Sequence, residues 1–315
     1  MIIPFRRILT WIVLPCLLVV EAVAQTDVSA ASPASAPPEQ STIPRIPDLF
    51  QIELPVTEQS GQVKLSFLPH FRDLLNEDYL RVPFELRWGV NDHFELNSYT
   101  DTYFDHGLRK GDGGYGISEL HFGAKYAWLE WLKPTWDAGI GFNSSIPVSR
   151  PPLTLTDGHD HFTPYIVFSR KLDGVPGLSG VFNVSTDFIS DSSTPGVFNR
   201  NEPHSNSFTV SPALLYDHLA WHYTLEVDCT TTRVIGSGSH DFLTVRPGVF
   251  WDLPKRLVFN AHGRWLAGFN LSFVFGPDGN TVGTGGRLRG EVNLTRWFSG
   301  GRKSDSSPAG STPGQ

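Results

Sequence analysis

The residues able to do chemistry along this 315-residue chain are spread over extended segments and form no compact motif. Arg87, Glu95, Asp101, Glu119, His121 and Lys125 fall on the polar face of alternating stretches in the first half. His222, Glu226, Asp228, His262, Arg264, Arg287, Arg289 and Glu291 do the same in the second half. Side chains two apart on a strand share a face. This spacing therefore builds a wall of acids and bases, which suits the selection of solutes better than a chemical step. The same residues also have a second arrangement open to them: paired across the interior, they would fill it and block passage.

Three denser clusters invite sharper readings. Asp157-Gly158-His159-Asp160-His161 has imidazoles two apart with carboxylates beside them, a pattern that metal ions use. No second group of ligands can be placed next to it from sequence, so it reads as a solvated loop. Ser237-Gly238-Ser239-His240-Asp241 holds the three residue types of a hydrolase triad. Adjacency in sequence does not give the nucleophile–base–acid geometry that a triad needs. The glycine-rich stretch 276–286 lacks the strand–loop–helix setting of a phosphate cradle and reads as a long loop. No catalytic residue, metal or other cofactor is expected.

The elements that carry the polar wall are strands. In YLRVPFELRWGVNDHFEL, Val82, Phe84, Leu86, Trp88 and Val90 alternate with Arg81, Glu85 and Arg87, and Pro83 is the one irregularity. Twelve such segments are expected, at 62–67, 79–90, 94–104, 116–128, 135–146, 161–170, 177–189, 207–216, 220–230, 240–251, 256–275 and 287–298. Most run to about ten to thirteen residues, the length a tilted strand needs to cross a bilayer. The connections between them alternate between short and long, as in barrels whose two ends face different compartments. Trp88, Trp128, Trp131, Trp136, Trp221, Trp251 and Trp297 gather at the short-connection end, where indole rings would meet a membrane interface. Trp265 alone stands apart in this reading. The fold class expected is all-β, a closed antiparallel transmembrane barrel of about twelve strands with up-and-down topology. Its oily faces would meet lipid and its charges would face the lumen.

Arg6 and Arg7 precede an apolar run and then Ala22-Val23-Ala24, so residues 1–24 read as a cleaved signal peptide. The run is too short to span a membrane as a helix. Its removal takes the formal net charge from −7 to −8, and the remaining chain has no basic block, which argues against nucleic acid as a partner. Residues 25–60 read as a periplasmic Ala/Ser/Pro-rich linker whose end, 43–59, is open to two placements, as a plug in the barrel or free in the periplasm. Residues 61–298 form the outer-membrane barrel, and 299–315 a disordered polar tail. Cys229 is the sole cysteine once the leader is removed, so no intrachain disulfide can form.

Two neighbouring stretches resemble a known family. They are FELRWGVNDHFELNSYTD, which contains Arg87-Trp88-Gly89-Val90 and Phe94-Glu95-Leu96, and GDGGYGISELHFGAKYAWLE, which contains Phe122-Gly123-Ala124-Lys125-Tyr126. Ala138-Gly139-Ile140-Gly141 and Ile146-Pro147 continue the likeness. Together they resemble the outer-membrane barrel transporters of the meta-pathway of phenol degradation. The family commonly has aspartate where Ser118 or Glu119 stands here. The resemblance implies passive passage of small hydrophobic or aromatic solutes through a barrel that lies in outer-membrane lipid. Arg289-Gly290-Glu291-Val292-Asn293-Leu294-Thr295-Arg296-Trp297-Phe298 is similar to the closing strand that barrel-assembly machinery reads. Two rival readings are a secreted or periplasmic all-β sandwich that binds ligands, and a barrel that hydrolyses or transfers lipid acyl chains. The sandwich would place Phe84, Leu86 and Phe122 in a dry centre.

Overall fold

The computed structural model describes residues 46–70, 79–106, 114–148, 155–192, 205–234, 238–258, 263–277 and 279–295. The expected leader, most of the linker, the polar tail, His262, Trp297 and Ser237 lie outside the described residues.

The strands are β1 (Val63–Phe67), β2 (Tyr79–Arg81), β3 (Phe84–Gly89), β4 (Phe94–Asp105), β5 (Tyr115–Trp128), β6 (Trp136–Pro147) and β7 (His159–Lys171). They continue as β8 (Leu178–Asp191), β9 (Ser205–His218), β10 (Trp221–Val234), β11 (Gly238–Asp252), β12 (Arg264–Gly276) and β13 (Gly279–Asn293). Each pairs antiparallel with its sequence neighbour from β3 to β13, and β1 lies between β13 and β3 to close the cylinder. The expected strand over 79–90 is broken at Val82-Pro83 into β2 and β3, both paired to β4. Proline lacks the N–H that a ladder needs, so the break falls where the chemistry demands it. Twelve staves thus form a closed all-β barrel with one additional short strand.

The polarity of the wall is inverted relative to a soluble protein. On β3, Phe84, Leu86 and Trp88 are 40%, 42% and 45% exposed, whereas Glu85 and Arg87 are 7% and 2% exposed. Phe122 is likewise outside, 46% exposed. The dry centre expected of a sandwich is therefore absent at these residues. Closure runs through β1, whose Lys64–Phe67 pair with β13 and Val63–Phe67 with β3, so ladders satisfy backbone groups of the wall that lipid cannot.

The expected alternation of connections holds for the first half of the barrel only. Long links join β4 to β5, β6 to β7 and β8 to β9, but β10 and β11 are joined by residues 235–237 alone. The stretch 276–286, expected as a loop, is instead strand. Its residues pair as Gly276↔Gly279 through Phe269↔Gly286, and the connection is reduced to residues 277–278. These Gly- and Thr-rich residues carry no apolar alternation, and β13 is mostly exposed there. Ladder hydrogen bonds alone extend the hairpin, so side-chain pattern could not reveal it. At the opposite end the link after β11 is longer than expected, with a 3-10 turn at Lys255–Val258.

Ile166 stands in the middle of the outer apolar belt, 44% exposed and paired with Ile140 and Val184. Ile166→Arg is expected to destabilise the barrel in lipid vesicles by about 2–4 kcal/mol, as measured by reversible unfolding in urea. Asn183→Gln, whose side chain faces the interior, should leave the vesicle-inserted fraction unchanged.

Candidate functional site

The interior is occupied by the protein's own N-terminal segment. From Val63 the chain runs back past the β3–β4 turn, where Ser60 N–H donates to Asp92 Oδ1 (3.1 Å) and Thr57 Oγ1 donates to the Asp92 carbonyl (2.9 Å). It then enters the barrel and folds into a tight hairpin. Leu49 N–H donates to Ile52 O (2.8 Å), Leu54 N–H donates to Pro47 O (3.2 Å), and Asp48 bridges Glu53 across it. Ile46, Leu49, Phe50, Ile52 and Leu54 are nearly inaccessible and pack against Tyr165, Val167, Val181, Ala213, Leu215, Phe250 and Leu266 of the inner wall. The main hydrophobic core of the molecule therefore lies between plug and wall.

The tip of the hairpin is gripped through its backbone. Glu226 accepts from Phe50 N–H (3.0 Å) and Gln51 N–H (2.9 Å), and Arg287 donates to the carbonyls of Leu49 (3.3 Å) and Phe50 (3.2 Å). A carboxylate and a guanidinium thus satisfy peptide groups that the hairpin cannot satisfy itself. The Phe50 ring stacks on Phe250 at 4.2 Å and lies under Arg287 at 5.9 Å. Glycine makes the room for it. A Cβ at Gly248 would overlap the Phe50 ring, and one at Gly268 would meet both Phe250 and Phe50.

Charge holds the rest. Arg289 makes a two-pronged contact with Asp48 (2.8 and 2.7 Å), and Arg87 adds a third bond (3.1 Å). Lys125, fully buried, donates to Glu53 (3.1 Å) and approaches Glu95 (3.5 Å). Arg87 also bonds Glu85 (2.7 Å), and Glu95 accepts from Glu58 N–H (2.7 Å). Burial alone would raise the Asp48 carboxyl. The positive charges of Arg289, Arg87 and Arg287 outweigh that and hold it well below the usual carboxylate range.

Of the residues expected on the polar wall, Arg87, Glu95, Lys125, Glu226, Arg287 and Arg289 therefore meet around one hairpin. Glu291 lies nearby, 3.7 Å from Lys64. Three other groups lie beyond it, and one of them, Asp228 with Arg246, reaches Glu226 through Arg246 (3.7 Å). His222 bridges Asp217 (2.6 Å) and Asp252 (3.0 Å), and Arg264 clasps Asp252 (2.7 and 3.0 Å). Asp228 pairs with Arg246 (2.8 Å). Asp101, Glu119 and His121 converge on the β4–β5 wall. In the Asp157–His161 stretch, both ring nitrogens of His161 are taken by carboxylates, Asp187 (2.9 Å) and Asp157 (3.0 Å). Asp241 accepts a hydrogen bond from Thr231 (3.0 Å).

The described tryptophans keep to one end. Trp88, Trp128, Trp131 and Trp221 are 38–55% exposed, Trp136 and Trp251 are half-buried, and Trp221 stacks on Trp251 at 5.1 Å. Trp265 joins them, because β12 begins at Arg264 and not near 256. It meets Phe67 edge-on at 5.1 Å.

The sequence analysis missed Asp48, Phe50 and Glu53 as functional residues. Their signal was compositional: Ile43, Ile46, Leu49, Phe50, Ile52 and Leu54 follow abruptly on an Ala/Ser/Pro tract.

A family model described as "Putative MetA-pathway of phenol degradation" matches residues 85–289. The chain belongs to this family. No curated protein matches it significantly. Among solved structures it is similar to an outer-membrane channel from Pseudomonas putida F1, with 10% identity over 76% of this chain and 97% of that one and a TM-score of 0.49. It is also similar to the KdgM porin (11% identity, 74% and 97% covered, TM-score 0.40) and to the CymD monoaromatic hydrocarbon channel (10% identity, 75% and 89% covered, TM-score 0.40).

Gly248→Leu is expected to leave the barrel folded but expel the Phe50 ring from its socket. Chymotrypsin should then cut after Leu49 or Phe50, which the wild-type protein shields. The Asp48 carboxyl binds its proton less readily when docked than when free, where it titrates near about 3.9. The contribution of Asp48 to docking should therefore be fully present above about pH 4 and weaken as pH falls below that toward the docked value. Hydrogen exchange of residues 46–56, corrected for intrinsic rates, reads this directly. Asp48→Asn removes the carboxylate that Arg289, Arg87 and Arg287 share and should loosen the hairpin by about 3–5 kcal/mol at neutral pH, the difference from wild type narrowing as acid protonates Asp48.

Proposed function

We propose that the protein is an outer-membrane channel for the passive passage of small hydrophobic or aromatic solutes, and that its N-terminal hairpin gates the passage. The observation that carries this reading is the inverted wall, with bulky apolar side chains outside and ionic ones enclosed. Such a wall is stable where acyl chains cover it. Membership of a family described by phenol degradation supports the solute class.

Twelve staves lie between the eight whose side chains fill a barrel and the sixteen to eighteen of open porins. At this width, a hairpin of a few residues is enough to obstruct the lumen. The grip on its tip is polar and reversible: two peptide N–H groups on Glu226 and two carbonyls on Arg287. Passage needs no chemical step and no cofactor. Export by the leader 1–24, insertion by barrel-assembly machinery and residence in outer-membrane lipid belong to the same reading.

Planar-bilayer recording of the refolded protein provides the test. Wild type should show small, intermittent conductance. The double variant Asp48→Asn/Phe50→Ala should show a several-fold larger unitary conductance, and added phenol or toluene should reduce the current through it. Equal conductance in both forms would remove the gate, and silence in both would remove the channel.

A further inference from the structure

Asp101, Glu119 and His121 form the one group of three potential metal ligands found among the described residues. None of them takes part in gripping the hairpin. A local irregularity brings them together. The β4–β5 register shifts between Thr100 and Thr102, so that Ser118 and Glu119 face the single residue Asp101. Bulges of this kind re-aim side chains. Here the result places Glu119 and His121 on the same inner face as Asp101. Ser118 Oγ donates to the Asp101 carbonyl (3.0 Å) and fixes the bulge, and the Tyr99 ring lies flat on the His121 imidazole at 3.7 Å.

The geometry differs from that of the other histidine–carboxylate contacts on the wall. His161 and His222 in this protein hold their carboxylates at 2.6–3.0 Å, and each uses both ring nitrogens. His121 instead directs the single atom Nε2 at two carboxylates, with Asp101 Oδ2 and Glu119 Oε2 each 3.3 Å away. That nitrogen is buried and has no hydrogen-bond partner. A separation near 3.3 Å is the edge of a coordination tetrahedron whose ligand bonds are about 2.0–2.1 Å long. One imidazole and two carboxylates make a donor set suited to a small divalent ion of borderline softness.

We propose that Asp101, Glu119 and His121 bind a divalent transition-metal ion of the zinc class on the inner wall of the barrel. The ion would tie β4 to β5 across the bulge and replace two unbalanced carboxylates with a neutral cluster. The site does not depend on the channel reading, since it needs only the folded barrel.

Calorimetric titration of the refolded full-length protein in detergent with zinc chloride tests the proposal, with cobalt(II) and its visible absorption as a second probe. Binding of one ion per chain is expected. Affinity should fall about tenfold or more in His121→Gln and in Glu119→Gln, and the tetrahedral cobalt spectrum should be lost. His161→Gln should leave both signals unchanged. Asp101→Asn, nearly isosteric, provides a third variant, and heat-modifiable migration on gels establishes that each variant is folded. Absence of saturable binding overturns the proposal, as does binding that survives His121→Gln and Glu119→Gln or that disappears in His161→Gln.

Discussion

Charge enclosed by a closed wall must find its counter-charge inside that wall, and much of this structure follows from that constraint. Arg87, Lys125, Arg287 and Arg289 project inward from β3, β5 and β13; Arg287 is half-buried and the other three are nearly inaccessible. Leaving such groups unpaired costs several kcal/mol each. The wall supplies Glu85, Glu95, Glu226 and Glu291, and the hairpin supplies Asp48 and Glu53. The N-terminal segment is thus both the apolar filling of the barrel and part of its electrostatic balance. That dual role explains why a segment outside the sheet contains the two largest fully buried aliphatic side chains among the described residues, Leu49 and Ile52.

The polar grip on the hairpin sets its strength as well as its position. Burying five apolar side chains favours docking, at about 1.5–3 kcal/mol each, but ordering the backbone opposes it at about 1–2 kcal/mol per residue. The two terms are of similar size, so the outcome rests on the contacts of Asp48, Glu53, Glu226 and Arg287. Those contacts are few and specific. Gly248 and Gly268 serve the same end by leaving space that only an aromatic ring fills.

How much of this was legible in the sequence depended on whether a residue's environment repeats. Phe84, Leu86 and Trp88 alternate with Glu85 and Arg87, and a period of two reports the two faces of a wall directly. The closed barrel and its inversion were readable for that reason. The extension of the last hairpin over 276–286 was not, because its glycines and threonines carry no amphipathic signal and the ladder forms from backbone alone. Trp265 was misplaced because the start of β12 at Arg264 was not read either. Which charges meet is a matter of how distant strands curve around one another, and nothing in the spacing of Arg289 and Asp48, 241 residues apart, states it. The convergence of Asp101, Glu119 and His121 depends on a bulge, and a change of register within one strand pair leaves no trace in composition.

The carboxylate of Asp48 touches Arg289 on β13 and Arg87 on β3, the two neighbours of β1. With only five residues, β1 is the shortest stave of the cylinder, and it lies where the first and last parts of the chain meet. The hairpin is therefore a latch across the seam. A docked hairpin braces this joint from within, adding ionic contacts to both flanks of the stave that has the fewest rungs of its own.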